Sequence, residues 1–261
     1  MSVRNSKEEE TFIAGEQINK TGNKMYNSIL SAVKKKKRMV DLSSYHKNSD
    51  VIFDTLREVL NDHPEIYYFD HSNSSYWSNG ILQLGYKYSK QEIEKVDMQL
   101  NAVAKDVLGS MINDQSEHDR VKIVHDYIVK NTMYDYDNYL ADTIPDESYS
   151  ITGTLLNGTA VCEGYTRAMQ FLLAKAGIES VYVSGTGNGE GHAWNKVKID
   201  GQWYNVDSTW DDPVPDRKNE VSYDYFLVTD EQLARNHKWK QEDLPVANNS
   251  KYMKTRRAIF R

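Results

Sequence analysis

The Asp200-Gly201 dipeptide restricts this chain more than any other feature. An Asp-Gly pair between alternating apolar residues signals a two-residue β-hairpin, because both loop positions must take positive φ. With those two residues as the loop, Lys198 lies opposite Trp203, Val197 opposite Tyr204, Trp194 opposite Asp207 and His192 opposite Thr209. One face of the ribbon then collects Ala193, Val197, Ile199, Tyr204 and Val206, with Asn195 and Gln202 as polar exceptions. The other collects His192, Trp194, Lys196, Lys198, Trp203, Asn205 and Asp207. The first set is a core face, the second polar and aromatic, and a one-residue slip would scramble both. His192 and Asp207 therefore share a face as diagonal neighbours, about 7 Å or less apart at Cβ.

Composition narrows the chemistry. The 261 residues hold one cysteine, Cys162, which excludes an intrachain disulfide and any zinc site built from several cysteines. With 32 basic and 38 acidic side chains the net charge is −6, which argues against a nucleic-acid partner. No apolar run approaches the roughly 18 residues of a membrane helix, so no membrane insertion is expected. The stretch from Met1 to Lys20 is polar and lacks the apolar core of a leader. As written the chain reads as cytoplasmic; an exported protein whose leader was removed would look the same. No calcium-loop pattern occurs, and neither cofactor nor metal is expected.

Periodicity places the remaining elements. Residues 1–15 are charged and unpatterned, and 16–33 carry helical spacing through Ile18, Met25, Tyr26, Ile29, Leu30 and Val33. The basic run from Lys34 to Arg38 is a solvated helix end. A helix over 50–61 stops at His63-Pro64, and strands are expected at 66–69 and 81–88, the second entered through Asn79-Gly80. Helices follow over 91–111 and 117–131, the second burying Val121, Val124, Tyr127, Ile128 and Met133. His118 and His125 share a helix face, but only Asp114 stands near them at ligand spacing, which favours packing or surface roles over a metal. The segment 134–146 is a polar, tyrosine-rich loop. A helix over 162–176 ends at Gly177 and buries Tyr165, Met169, Leu172, Leu173 and Ala176. Strands at 181–184, 192–199, 202–207 and 223–228 and a short helix at 230–236 complete the chain. The glycine-dense stretch from Gly185 to Gly191 lacks the dinucleotide-binding spacing and is expected to be a flexible loop delivering His192.

Cys162 follows Gly158-Thr159-Ala160-Val161 at the first turn of a helix, where unpaired amides and the positive dipole end favour a thiolate. Position alone leaves open a buried, inert thiol. A nucleophile also needs a base, and the base an orienting group. His192 opens one strand and Asp207 closes the next, so Asp207 can accept from one imidazole nitrogen and leave the other facing a thiol. Trp194, Trp203 and Trp210 are expected as aromatic walls of a substrate cleft. Asp211-Asp212 lacks the surroundings of a cation loop and makes a turn before Pro213.

The residues from Cys162 to Gly164, from Gly191 to Asn195 and from Val206 to Pro213 resemble, in order, the three signature blocks of the transglutaminase-like superfamily. The resemblance extends from near Glu117 to Phe226. It implies an α+β, papain-like core in which a nucleophile-bearing helix packs on an antiparallel sheet. It also implies Cys162 as nucleophile, His192 as general base and acid, and Asp207 as orienting carboxylate. Residues 1–89 resemble, more loosely, the helix-strand extensions of bacterial members, leaving 90–261 as the catalytic core. The implied chemistry is thiolate attack on an amide carbonyl of a peptide or protein, leaving a thioester. Water as second nucleophile gives a peptidase or amidase, which is the first reading. An amine gives a crosslinking transglutaminase, and a catalytically silent peptide or cell-wall binding module is the rival of another class. The Cys162 amide is the expected oxyanion donor, with Tyr134 or Tyr136 as side-chain donor. The single cysteine excludes the zinc module of de-N-glycosylating members.

Overall fold

The computed structural model describes residues 23–45, 48–111, 115–215, 217, 220–242 and 244–253. The first part of the chain gives α1 (Lys24–Lys34), β1 (Met39–Asp41), α2 (Ser49–Asp62), β2 (Phe69–Tyr76), β3 (Ile81–Tyr86) and α3 (Lys90–Gly109). Next come α4 (Glu117–Asn131), β4 (Met133–Tyr134), α5 (Tyr136–Ala141), a 3-10 turn (Asp146–Tyr149), a π-helical turn (Gly153–Asn157) and β5 (Thr159–Ala160). The chain continues with α6 (Cys162–Lys175), β6 (Ser180–Gly187), β7 (Glu190–Ile199), β8 (Gln202–Val206), β9 (Phe226–Val228), α7 (Asp230–Leu233) and β10 (His237–Trp239).

Local chemistry sets the helix starts. Ser89 and Glu92 form a reciprocal capping box on α3, the Ser89 amide donating to Glu92 at 2.7 Å and the Glu92 amide to Ser89 at 3.3 Å. Asn23, Asn48 and Ser116 cap α1, α2 and α4 with their side chains. By contrast α6, which Val161 precedes, has no side-chain cap. Its first-turn amides therefore meet no capping side chain at the point where Cys162 emerges.

The five-stranded sheet has the order β10-β6-β7-β8-β9, and each neighbouring pair is antiparallel. A three-stranded sheet, β1-β3-β2, belongs to the first part of the chain. The Asp200-Gly201 loop has both residues at positive φ, 52° and 74°, and Val197 faces Tyr204 and Lys198 faces Trp203 as the sequence predicts. Helix α6 packs on β6 and β7, and α4 packs on α6. One hydrophobic cluster runs from Met25 and Ile29 through Leu82, Val124, Tyr165 and Leu172 to Val197 and Tyr204, joining both sheets to the helices. Arg167 of α6 adds polar ties to the end of α2, donating to the Leu60 carbonyl at 2.7 Å and to Asn61 at 3.0 Å.

Several expectations need correction. Met133 is exposed, because the chain leaves α4 at Thr132 and enters β4. The tyrosine-rich segment contains α5. Residues 185–191 are ladder instead of loop: Gly187 faces Glu190 across a second two-residue turn, Asn188-Gly189, whose φ values are 50° and 94°. The polar and aromatic face of the hairpin is also buried. Val183, Trp194, Val228 and Leu233 form a second cluster there with Trp239 and Leu244 against it, and the fully buried Lys196 reaches Asp230 at 2.8 Å. The expected helix start at 16–22, the unpatterned residues 1–15 and Asp114 lie outside the described residues.

Candidate active site

Cys162 is half-buried at the first position of α6. Two close approaches put it there. Parallel pairing of β4 with β5 aligns Tyr134 with Ala160, just before the helix. Gly164 lets α6 settle on the 3-10 turn, since a Cβ there would stand 2.5 Å from the Ser148 carbonyl and 2.8 Å from the Ala160 Cβ. A larger residue in place of Gly164 would lift the first turn of the helix away from that seat.

His192 stands on β7, against the Cys162 thiol. Its Nε2 lies 2.7 Å from Asp207 Oδ2, which leaves Nδ1 as the ring nitrogen free to serve the sulfur. Asp207 leaves the β8 ladder at its end, its amide bonding the Tyr225 carbonyl at 3.1 Å, and its side chain is fully buried. The Oδ1 atom accepts the Thr209 and Trp210 amides at 3.1 and 3.2 Å. Burial alone would push the His192 pKa down. The Asp207 charge and hydrogen bond, followed by the Cys162 contact, outweigh it and raise the value to about 10. Burial alone would raise Asp207, and His192, then His237, hold it down at about 2.

The remaining residues singled out in the sequence are spread around this centre. Tyr134 is half-buried beside Cys162; burial, then the neighbouring sulfur, push its phenol well above the ordinary range, so it stays a protonated donor. Tyr136 is exposed and stacks on Tyr139. Tyr139 in turn donates to Glu190 at 2.5 Å, tying α5 to the start of β7 two residues before His192. Trp210 packs 5.4 Å from the His192 ring. Trp194 is 1% exposed and forms a floor beneath His192, its Nε1 donating to Asn205 at 3.2 Å. Trp203 sits opposite Lys198 near the hairpin tip, away from the other members.

The sequence reading missed His237, on β10. Its Nε2 lies 3.0 Å from the same Asp207 Oδ2. The alternation of His237 and Trp239 was the available signal, but it spans a strand of three residues. His192, Asp207 and His237 present ligand-type atoms within 4.8 Å of one another, a convergence that two N–H donors on one carboxylate oxygen explain without an ion. Asp211 and Asp212 are internal ties. Asp211 bonds His125 Nε2 of α4 at 3.1 Å, and Asp212 accepts from Tyr165 of α6 at 2.5 Å.

Residues 102–208, which hold Cys162, His192 and Asp207, match the family model of the transglutaminase-like superfamily. This stretch belongs to that superfamily. The chain is similar to kyphoscoliosis peptidase of Homo sapiens, 29% identical over 138 residues, which make up 46% of this chain and 21% of that protein. The mouse protein of the same name is 28% identical over 135 residues, 45% of this chain and 20% of its own length. The match thus spans about a fifth of each curated relative. Among solved structures, a TGase aligns with 18% identity and a TM-score of 0.40, over 62% of this chain and 48% of its own. The periplasmic domain of TgpA from Pseudomonas aeruginosa aligns with 16% identity and a TM-score of 0.31, over 54% of this chain and 62% of its own. Among the described residues no helix is long and apolar enough to cross a membrane.

Proposed function

We propose that the chain is a thiol-dependent acyl-transfer enzyme that hydrolyses amides of peptides or proteins. The observation that carries this reading is the convergence on Cys162: a histidine whose far nitrogen is fixed 2.7 Å from a buried carboxylate and whose near side meets the only sulfur of a cysteine in the chain. Similarity to a protein named as a peptidase supports it.

In this mechanism His192 Nδ1 takes the Cys162 proton and the sulfur attacks the amide carbon. The Cys162 amide at the uncapped start of α6, with the Tyr134 hydroxyl beside it, serves the developing oxyanion. Collapse breaks the C–N bond, and His192 returns its proton to the departing amine. Water then attacks the thioester with His192 as base, releasing the acid and restoring the thiol. Asp207 holds the ring's orientation and stabilises the imidazolium formed in both half-reactions. Trp210, next to His192 and partly exposed, serves as an aromatic wall of the site. The catalytic unit is residues 90–261, with residues 1–89 as an extension whose described part shares the hydrophobic cluster of that unit and takes the Arg167 bonds at the end of α2.

The test offers the purified chain a glutamine-containing protein together with a labelled primary amine, beside Cys162→Ala. The expected result is Cys162-dependent release of amide fragments. Cys162-dependent incorporation of the amine would make the protein a transglutaminase instead, and neither product would leave a binding module.

A further inference from the structure

We propose that His237 is a positioning residue for Asp207, extending the Cys162-His192-Asp207 set to a fourth member; this rests on the reading of Cys162 and His192 given above. Asp207 is fully buried and accepts four hydrogen bonds. Two come from backbone amides to Oδ1, and two come from imidazoles to Oδ2, His192 at 2.7 Å and His237 at 3.0 Å. An ionised carboxylate only accepts, so both Nε2 atoms carry hydrogen. Amides on Oδ1 alone leave the carboxylate free to rock about that edge. The second imidazole pins Oδ2 as well and keeps it aimed at the His192 ring.

His237 is itself locked. Its ring is buried, with Trp210 4.3 Å away and Trp194 5.0 Å away. Its Nδ1 lies 2.8 Å from the Asn236 side-chain amide, and that amide meets the Tyr225 hydroxyl at 2.7 Å. A chain of polar groups therefore runs from Tyr225 through Asn236 and His237 to Asp207 and His192. The backbone is shaped to admit it. His237 pairs with Gly187 of β6, where a Cβ would stand 2.8 Å from Trp210 and 3.3 Å from the His192 ring.

The test compares His237→Gln, which keeps an N–H able to reach Oδ2, with His237→Phe, which keeps bulk and loses the donor. Two readouts are taken on the full chain: the rate of Cys162 alkylation by iodoacetamide at neutral pH, and the imidazole N–H signals in nitrogen-15 NMR. We expect His237→Phe to slow alkylation about tenfold and shift the His192 Nε2–H signal, while His237→Gln stays within about twofold of wild type. Equal slowing in both variants, or wild-type behaviour in His237→Phe, overturns the proposal. If neither variant folds, the wild-type spectrum decides, because a His237 Nε2 without hydrogen overturns it. His192→Ala separates the two claims: alkylation unchanged there defeats the function proposed above, while the His237 N–H signal still judges this one.

Discussion

The turn after β8 carries two buried aspartates, each bonded to a buried or nearly buried histidine, and the two pairs make an internal comparison. Asp207 meets His192 at 2.7 Å and Asp211 meets His125 at 3.1 Å. What differs is the other ring nitrogen. In His192 it is left for the Cys162 thiol. In His125 it lies 3.3 Å from a second carboxylate, Asp126. Carboxylates occupy both nitrogens of His125, so neither is left to face a thiol. Burial alone would push its pKa down; the bonds to Asp126 and Asp211 outweigh that and raise it. A histidine–aspartate pair is thus not a catalytic site by itself. The group at the far nitrogen decides between a base and a clamp, and here the clamp fastens α4 to the turn that carries Asp207.

The variants that separate the pairs come first. His192→Ala should slow amide turnover about 100-fold or more, measured with a fluorogenic peptide, while Asp207 keeps its three other donors. His125→Ala should do the reverse. It takes the histidine from the buried Asp211 carboxylate, while Asp126 keeps Lys122 at 2.6 Å, and should cost about 3–5 kcal/mol of stability in urea unfolding, with turnover per folded molecule preserved. An exchange of those outcomes would break the comparison. Gly187→Ala inserts a methyl group against Trp210 and His192 and should slow Cys162 alkylation about tenfold by misaligning the ring, while His125 and its partners are untouched.

A pH series gives the smallest and most graded effect. Asp207 and Asp126 are held at about 2, from an ordinary 3.8. Their stabilisation is therefore complete above the unfolded value and is lost as pH falls through about 2. His192 is raised from 6.5 to about 10, so its share is complete below the unfolded value and is lost as pH rises through about 10. The melting temperature should plateau between those ordinary values, and His192→Gln should flatten the alkaline limb and also weaken the acid limb, because His192 is the main group holding Asp207 down.

The sequence carried the site well where a single local rule governed several residues. The Asp-Gly loop fixed the register of β7 and β8, and with it the shared face of His192 and Asp207. Periodicity placed α4 from Glu117 to Asn131 and the start of α6 at Cys162. What stayed hidden depends on segments that meet only in the folded chain. The hairpin's second face looked open because the chain from β9 through β10 covers it, and no pattern within β7 reports that cover. Trp194 looked like a cleft wall for the same reason. His237 was invisible because β10 has three residues and takes its position from pairing with β6. The Asn188-Gly189 turn was legible in principle, but the surrounding glycines read as a flexible loop.

Alkylation of Cys162 by iodoacetamide, followed across pH in wild type, His192→Ala and His125→Ala, tests the central claim most directly, because the chain contains one cysteine and the signal is unambiguous. Coupling between the thiol and His192 requires fast labelling in wild type and His125→Ala, and labelling slowed at least about tenfold in His192→Ala. One common rate profile for all three proteins would contradict it.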